Sequence, residues 1–200
     1  MLLVEGQTEI ALKRIIKEYL DQRAEEQGQP RIRLQTRRFK RLNNSEEMGR
    51  QIKFELQTQG VDAVIGLVDV FPHFRHADAA IAKRFLNEAA RRAGVTHGFY
   101  AHAAQYDVEA WLIPFWEDVC QRIGVHQGRP GNRPEQVDGT HPPSYRLRDL
   151  YRRAQREYTK TTEMSAILKG KDLTIAANAC PELKNLLNTL LALSYLPTLP

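Results

Sequence analysis

The stretch DAVIGLVD, residues 62–69, decides the fold class. It is a continuous run of Val, Ile and Leu that ends on Asp69. A short apolar run bounded in this way is typical of a strand that is buried on both faces of a parallel sheet. The sequence on either side should therefore supply the helices that cover those faces.

The flanking sequence alternates between strand and helix patterns. The other strands and the intervening helices are predicted, in chain order, at residues 2–5, 7–28, 31–39, 45–60, 79–94 and 96–104. Ser45 is the expected N-cap of the second helix. A β-α-β-α-β-α-β order favours right-handed crossovers and a mostly parallel, Rossmann-like α/β sheet with helices on both faces. We expect this core to span residues 1–106.

Residues 107–200 have a different character. They predict a mainly helical extension, interrupted by a loop rich in Gly and Pro at about residues 124–144. A loop of this length is uncommon in a compact domain unless it is functional or mobile. We expect the extension to pack on the core as one unit, since 200 residues suit one core with an elaboration.

Composition indicates a folded, soluble protein. Hydrophobic residues make up 42% and charged residues 26% of the chain, which is ordinary for a globular domain. The two cysteines are too few for a disulfide framework. No apolar run approaches the length of a membrane span and no leader precedes the first strand. We therefore expect a cytoplasmic protein.

A net charge of +5 favours an anionic partner such as nucleic acid. Much of the excess lies in residues 31–41, RIRLQTRRFKR, which carry no acid. Arg37 and Arg38 in this stretch are candidates for binding a nucleic-acid backbone. The alternative is a solvated edge strand whose basic residues prevent aggregation.

Four acidic residues follow the predicted strands. Glu5 follows the first strand, Asp69 ends the third, and Asp107 and Glu109 follow the fourth. Because the carboxyl ends of parallel strands meet at one edge, these carboxylates should converge there. Oxygen ligands are what Mg²⁺ requires, and a cation so placed can activate water for attack on a phosphodiester.

Each of these residues also has a structural interpretation. Glu5 could orient the turn before the first helix, and Glu9 could favour the helix dipole. Glu109 could satisfy a buried arginine or the indole of Trp111. Asp69 has no evident structural role. His73 and His76, in the loop after Asp69, could complete a transition-metal site or could be surface residues.

Two segments, LVEGQTE at residues 3–9 and VIGLVD at residues 64–69, resemble the Toprim domain. This domain occurs in topoisomerases, primases and overcoming-lysogenisation-defect (OLD) nucleases. The pattern VEGxTE in the first segment is most similar to the OLD nucleases. The rest of the chain resembles a bacterial, Toprim-like family of unknown function, whose members are regarded as partners of an ATPase in defence-type gene pairs. This second resemblance rests on four blocks: YDVEAWL at 106–112, PPSYRL at 142–147, YTKT at 158–161 and ACPELKNLL at 179–187.

The resemblance implies a metal-dependent nuclease that uses Mg²⁺ or Mn²⁺ and acts on DNA or RNA. The matching positions are Glu5, Gly6, Thr8, Glu9, Asp69, Glu109, Ser144, Arg146 and Lys160. Glu5 and Asp69 are then the catalytic residues, and Glu9 and Glu109 join them as metal ligands. Lys160 and Arg146 bind phosphate, although a surface charge or an ion pair to the acidic edge is the alternative for both.

One position departs from the Toprim pattern. The second acid of Asp-x-Asp is absent, because Phe71 stands there. Asp78, Asp107 or Glu109 would have to supply the missing ligand, and we expect weak intrinsic binding of Mg²⁺.

Two further functions remain open at this point. One is a catalytically weak interaction module that keeps the fold while an ATPase partner does the work. The other is a phosphohydrolase in which Asp69 is the nucleophile. A carboxylate cluster at the strand ends favours the nuclease, whereas carboxylates that are spread apart or neutralised by Arg favour the module. The phosphohydrolase requires Asp69 alone to face a phosphate pocket.

Overall fold

A computed structural model of the chain describes residues 1–74, 78–136 and 141–200, with side chains throughout these ranges except at residues 7–10. The fold is α/β. Four parallel strands form one sheet in the order β2-β1-β3-β4. The strands are β1 (Leu2–Val4), β2 (Thr36–Arg38), β3 (Val64–Asp69) and β4 (Phe99–Ala104).

Helices follow each of the first three strands, and several more make up the second half of the chain. The α-helices are α1 (Gln7–Glu26), α2 (Ser45–Leu56), α3 (Ala79–Arg92), α4 (Trp116–Ile123), α5 (Pro143–Arg153), α6 (Lys160–Leu168), α7 (Leu173–Ala179) and α8 (Pro181–Leu193). Two 3-10 helices span Val108–Phe115 and Pro134–Gln136. No helix in the described ranges is both long enough and apolar enough to span a membrane.

The sheet is buried on both faces by two separate apolar clusters. On one face, alternate strand residues such as Leu3 and Val68 pack with Ile52 of α2 and Leu86 of α3. This arrangement follows from the period of two in a strand, which directs successive side chains to opposite faces. The continuous apolar pattern of β3 is therefore explained by burial on both sides.

The second face is covered by α1 and by the helices of the second half of the chain. Leu2 and Leu67 of the sheet share one cluster with Trp111, Leu147 and Leu186. The side chains of Leu2, Leu67, Leu147 and Leu186 are fully inaccessible to solvent. The second half of the chain thus completes the hydrophobic core of the sheet.

Two local predictions were wrong. The second strand is only three residues long, because Thr36–Arg38 alone pair with β1, whereas residues 31–35 form no strand. The cap of α2 is Asn44, whose side-chain oxygen accepts a hydrogen bond from the backbone N–H of Glu47 over 3.0 Å. Asn and Ser are nearly equivalent at this position, so sequence alone does not separate neighbours.

Candidate active site

The turn after β1 carries Glu5 to the carboxyl edge of the sheet. Its Oε2 accepts a hydrogen bond from the backbone N–H of Asp69 over 3.0 Å. Its Oε1 lies 2.8 Å from Nε2 of His73, which is half-exposed. Burial raises the pKa of the Glu5 carboxyl, and the opposing effects of His73 and the Asp69 N–H only partly offset burial. A carboxyl with a raised pKa is suited to exchanging a proton.

Asp69 closes β3 and reaches across to the exit of β4. Its Oδ1 accepts a hydrogen bond from the backbone N–H of Val108 over 3.0 Å, and the residue is buried. The side chain therefore ties the end of β3 to the first residue of the 3-10 helix Val108–Phe115. Asp69 thus has a structural role that the sequence did not reveal, in addition to its place at the sheet edge.

The segment after β4 contributes two fully buried carboxylates. Oδ2 of Asp107 accepts a hydrogen bond from the backbone N–H of Ser144 over 3.1 Å. Burial, followed by the charge of Glu109, raises the pKa of Asp107 to about 7. Within the described part of the chain, Oδ1 of Asp107 and Oε2 of Glu109 have no hydrogen-bond partner. Such buried, unpaired oxygens are costly unless a cation or a proton compensates them.

Lys160 supplies the cation that faces these carboxylates. Its Nζ lies 2.7 Å from Oε1 of Glu109, and its side chain is 29% exposed. Burial lowers the pKa of the Lys160 ammonium, but the neighbouring carboxylates, Glu109 first and then Asp69, outweigh burial and raise it. The charge of Lys160 also lowers the pKa of Glu5, although burial of Glu5 has the larger, opposite effect. One ammonium is therefore shared, unequally, by the whole acidic edge.

Two further polar side chains from the second half of the chain have a buried polar atom, and one of them, Tyr158, is close enough to this edge to be affected by its charges. Burial, followed by the charges of Glu109 and Asp107, raises the pKa of the Tyr158 phenol. The Tyr158 hydroxyl and Nε of Arg146 have no hydrogen-bond partner among the described residues. Tyr158 was not singled out by sequence reasoning. The signal was present, since it stands two residues before Lys160 in YTKT.

The residues predicted to bind phosphate are distributed unevenly. Arg38 lies at the site, because its Nε donates a hydrogen bond to the backbone oxygen of Glu5 over 2.7 Å. Arg37 points elsewhere and is ion-paired with the buried Glu55 at 3.3 Å. Both arginines are exposed at the edge strand β2.

The remaining predicted ligands either lie outside the description or make other contacts. The side chain of Glu9 lies outside the described side chains, and His76 lies outside the described residues. Asp78 is the N-cap of α3, where its Oδ1 accepts a hydrogen bond from the backbone N–H of Ile81. The ring of Phe71, in turn, packs edge to face against Tyr145 with centroids 5.4 Å apart.

The donor atoms at this edge are suitable for a hard cation, but they do not form a closed metal site. Among the described side chains, no three His, Cys, Asp or Glu residues are grouped as metal ligands. The unpaired oxygens of Asp107 and Glu109 fit Mg²⁺ or Mn²⁺ by chemistry. The ammonium of Lys160 stands beside Glu109, where a cation would otherwise compensate that carboxylate.

Comparison with known proteins identifies the family but not an activity. No curated protein and no solved structure shows significant similarity to the chain. Residues 4–191 match the family described as Domain of unknown function (DUF4276). This match runs from the last residue of β1 into α8 and includes every acidic residue of the site described above. The chain therefore belongs to the DUF4276 family.

Proposed function

We propose that this protein is a Mg²⁺- or Mn²⁺-dependent phosphodiesterase of the Toprim type that acts on nucleic acid. The observation that carries the proposal is the convergence of carboxylates from three strand ends at one edge of the sheet. Glu5 follows β1, Asp69 ends β3, and Asp107 and Glu109 follow β4. Carboxylates brought to one edge around a single ammonium favour an enzyme over an interaction module, although no three of the described carboxylates are grouped as a closed metal site.

The charge balance of the cluster supports binding of a divalent cation. Four carboxyl groups, those of Glu5, Asp69, Asp107 and Glu109, lie within the influence of one ammonium, that of Lys160. The imidazole of His73 contacts Glu5 alone. The pKa of Asp107 is raised to about 7 by burial and by Glu109, so one carboxyl can hold a proton near neutral pH. A divalent cation would replace that proton and compensate the unpaired oxygens of Asp107 and Glu109. Glu5 and Asp69 are the other candidate ligands in the described side chains, and Glu9 remains a proposed one.

The proposed reaction is hydrolysis of a phosphodiester. A cation held at this edge would lower the pKa of a bound water and offset charge on the phosphate. Glu5 accepts the proton of the attacking water, whose oxygen forms a new bond to phosphorus. The bond from phosphorus to the leaving oxygen breaks, and the leaving oxygen takes a proton from solvent water. The products are a phosphate monoester and a hydroxyl group.

Basic residues beside the cluster suit a polyanionic substrate. Arg38 is held at Glu5 by its hydrogen bond to the Glu5 carbonyl oxygen. Lys40 and Arg41, which follow β2, are exposed on the same side, whereas the exposed Arg31 and Arg33 precede β2 at its other end. Contacts of Lys and Arg with phosphate provide most of the sequence-independent affinity for nucleic acid. In this proposal, Arg38 and Lys160 hold phosphate on either side of the carboxylates.

The test is a cleavage assay with purified protein. Labelled single-stranded and duplex DNA and RNA are incubated with Mg²⁺, Mn²⁺ or EDTA, and products are resolved on a denaturing gel. The proposal expects cleavage of at least one substrate that depends on the divalent cation and stops in EDTA. Absence of cleavage of all four substrates with both cations contradicts it.

A further inference from the structure

A group of aromatic side chains stands beside the acidic edge and has no part in the reaction proposed above. Tyr145 is its centre: the ring of Phe71 packs edge to face against it at 5.4 Å, and the ring of His141 does so at 6.1 Å. The guanidinium of Arg148 lies over the Tyr145 ring, 5.7 Å from its centroid. We call Phe71, His141, Tyr145 and Arg148 the aromatic cluster.

The backbone joins the aromatic cluster to the carboxylates. Ser144, the neighbour of Tyr145, donates its N–H to Oδ2 of Asp107 over 3.1 Å. Phe71 stands two residues after Asp69, and its N–H donates to the carbonyl oxygen of Tyr106 over 2.7 Å. Both sides of the cluster are therefore fixed to the segments that carry the acidic residues.

The aromatic cluster is open to solvent, although its rings are held in place. Tyr145 remains 39% exposed and the side chain of His141 41% exposed. His141 is restrained by Asp149, whose Oδ2 lies 3.0 Å from Nε2 of the ring. An exposed ring whose orientation is fixed by neighbouring rings presents a flat face at a low entropic cost.

The surrounding charge is basic. Helix α5 carries four arginines, at positions 146, 148, 152 and 153, against the one acid Asp149. Asp149 is itself paired with the guanidinium of Arg152, and its other oxygen contacts the ring of His141. An apolar protein partner would gain little from this charge, whereas a polyanion that also carries flat rings would match both features.

We propose that the aromatic cluster is a stacking platform for an unpaired nucleotide base, so that the substrate is a single-stranded nucleic acid. This inference rests on the proposed function, because the platform would hold the base next to the phosphate that lies at the carboxylates. Unpaired bases stack on Tyr, Phe and His rings, whereas the bases of a duplex are already stacked and hidden. Arg148 adds a cation beside the same ring.

The platform also gives Phe71 a function. The Asp-x-Asp pattern has an acid at this position, whereas here an aromatic ring packs against Tyr145. The position that departs from the Asp-x-Asp pattern would then contribute to substrate selection rather than to metal binding.

The test measures binding in EDTA, so that cleavage plays no part. Fluorescence anisotropy follows a labelled oligothymidylate, an abasic oligonucleotide of the same length and a duplex. The Tyr145→Leu variant is compared with Tyr100→Leu, which removes a tyrosine of nearly equal exposure, 38%, from β4. Tyr145→Phe serves as the conservative variant, since it keeps the ring.

The expected result is base-dependent. Tyr145→Leu should weaken binding of oligothymidylate about tenfold, with little effect on the abasic strand, because only the strand that carries bases loses a stacking contact. Tyr145→Phe and Tyr100→Leu should bind as the wild type does. Equal weakening of the abasic strand, or no weakening at all, overturns the proposal. Should Tyr145→Leu fail to fold, His141→Leu provides the same comparison.

Failure of the platform is distinguishable from failure of the proposed function. Metal-dependent cleavage together with wild-type binding by Tyr145→Leu rejects the platform alone. If Tyr145→Leu weakens base-dependent binding but the wild type cleaves no substrate with either cation, the result supports the platform and rejects the phosphodiesterase. A duplex bound more tightly than the single strand by the wild type also contradicts the platform.

Discussion

The backbone N–H of Asp69 donates a hydrogen bond to Oε2 of Glu5 over 3.0 Å, across 64 positions of sequence. Glu5 is thereby fixed at the end of the neighbouring strand, while Asp69 itself accepts the N–H of Val108. The ends of β1, β3 and β4 are linked through two carboxylates. Residues proposed for catalysis therefore also hold the sheet edge together, and experiments must separate the two roles.

Two substitutions of Asp69 separate its proposed catalytic role from its structural role. Asp69→Asn keeps a side-chain oxygen for the Val108 N–H but removes the charge, so the free energy of unfolding should change by less than about 1 kcal/mol. Asp69→Ala leaves that N–H without its acceptor and should cost about 1–3 kcal/mol. Urea denaturation measures both values. Both variants should lose metal-dependent cleavage, and full activity of Asp69→Asn would remove Asp69 from the site.

Lys160 should stabilise the fold through Glu109. Lys160→Met leaves a fully buried carboxylate without its counter-charge, and we expect a loss of about 3 kcal/mol in the free energy of unfolding. The double variant Lys160→Met/Glu109→Gln should recover most of this loss, because the uncompensated charge is gone. A double-mutant cycle in urea measures the coupling. Additive losses would show that the ion pair contributes nothing.

The stabilisation of the protein by Mn²⁺ should also change in Lys160→Met. With Lys160 replaced, the carboxylates at the edge carry more uncompensated charge, so Mn²⁺ should raise the melting temperature of Lys160→Met more than that of the wild type. Lys171→Met is the matched control, since Lys171 pairs with Asp118 on another part of the molecule. Equal shifts in the two variants would contradict cation binding at Glu109.

Phe71→Asp tests whether the missing acid of the Asp-x-Asp pattern could be restored. Because the ring packs on Tyr145, its loss should lower the free energy of unfolding by about 1 kcal/mol. The affinity for Mn²⁺, which we expect to be weak in the absence of substrate, should change little. Calorimetric titration measures it, with Phe71→Leu as the control. At least tenfold tighter binding by Phe71→Asp would mean that the position faces the cation.

His102 should make the fold sensitive to acid. The residue lies on β4, its Nε2 is 3.0 Å from Oγ1 of Thr189 on α8, and its Nδ1 is buried without a partner in the described structure. Burial, followed by the charge of Lys83, lowers its pKa from 6.5 to about 4. Since the unfolded chain binds the proton more readily, stability from neutral His102 is lost as pH falls from about 6.5 towards 4.

The variant His102→Gln should reduce that loss. Between pH 6.5 and 4, the free energy of unfolding should fall by about 3 kcal/mol less than in the wild type, the size implied by the shift in pKa. His97→Gln, at an exposed histidine, should behave as the wild type does. Urea denaturation across this pH range gives the comparison. Identical slopes for His102→Gln and wild type would show that His102 does not carry the effect.

Sequence patterns predicted the elements whose local and tertiary signals agree. The run from Val64 to Asp69 is apolar because both faces of β3 are covered, so its pattern and its burial carry the same information. Residues 31–39 instead alternate between basic and apolar side chains for most of their length, which also predicts a strand, yet only Thr36–Arg38 pair with β1. β1 offers just three residues for pairing, and this limit cannot be read from the pattern of its partner.

The candidate site could be predicted only in part, because several of its contacts depend on tertiary packing. The strand order brings Glu5 and Asp69 to one edge, which follows from parallel topology alone. The pairing of Glu109 with Lys160 joins residues 51 positions apart in sequence and depends on how α6 packs. The contact of Phe71 with Tyr145 also depends on tertiary packing, so the sequence indicated a missing ligand where the structure has an aromatic contact.

The most direct test of the account is the cleavage rate of Glu5→Gln. The glutamine retains an oxygen for the Asp69 N–H but cannot accept a proton from water, so the fold should persist while the reaction fails. Glu18→Gln, on the exposed side of α1, is the control. With Mn²⁺ and a labelled oligonucleotide, we predict that wild type and Glu18→Gln cleave and that Glu5→Gln is slower by about a hundredfold or more. Cleavage by Glu5→Gln at the wild-type rate would contradict the account.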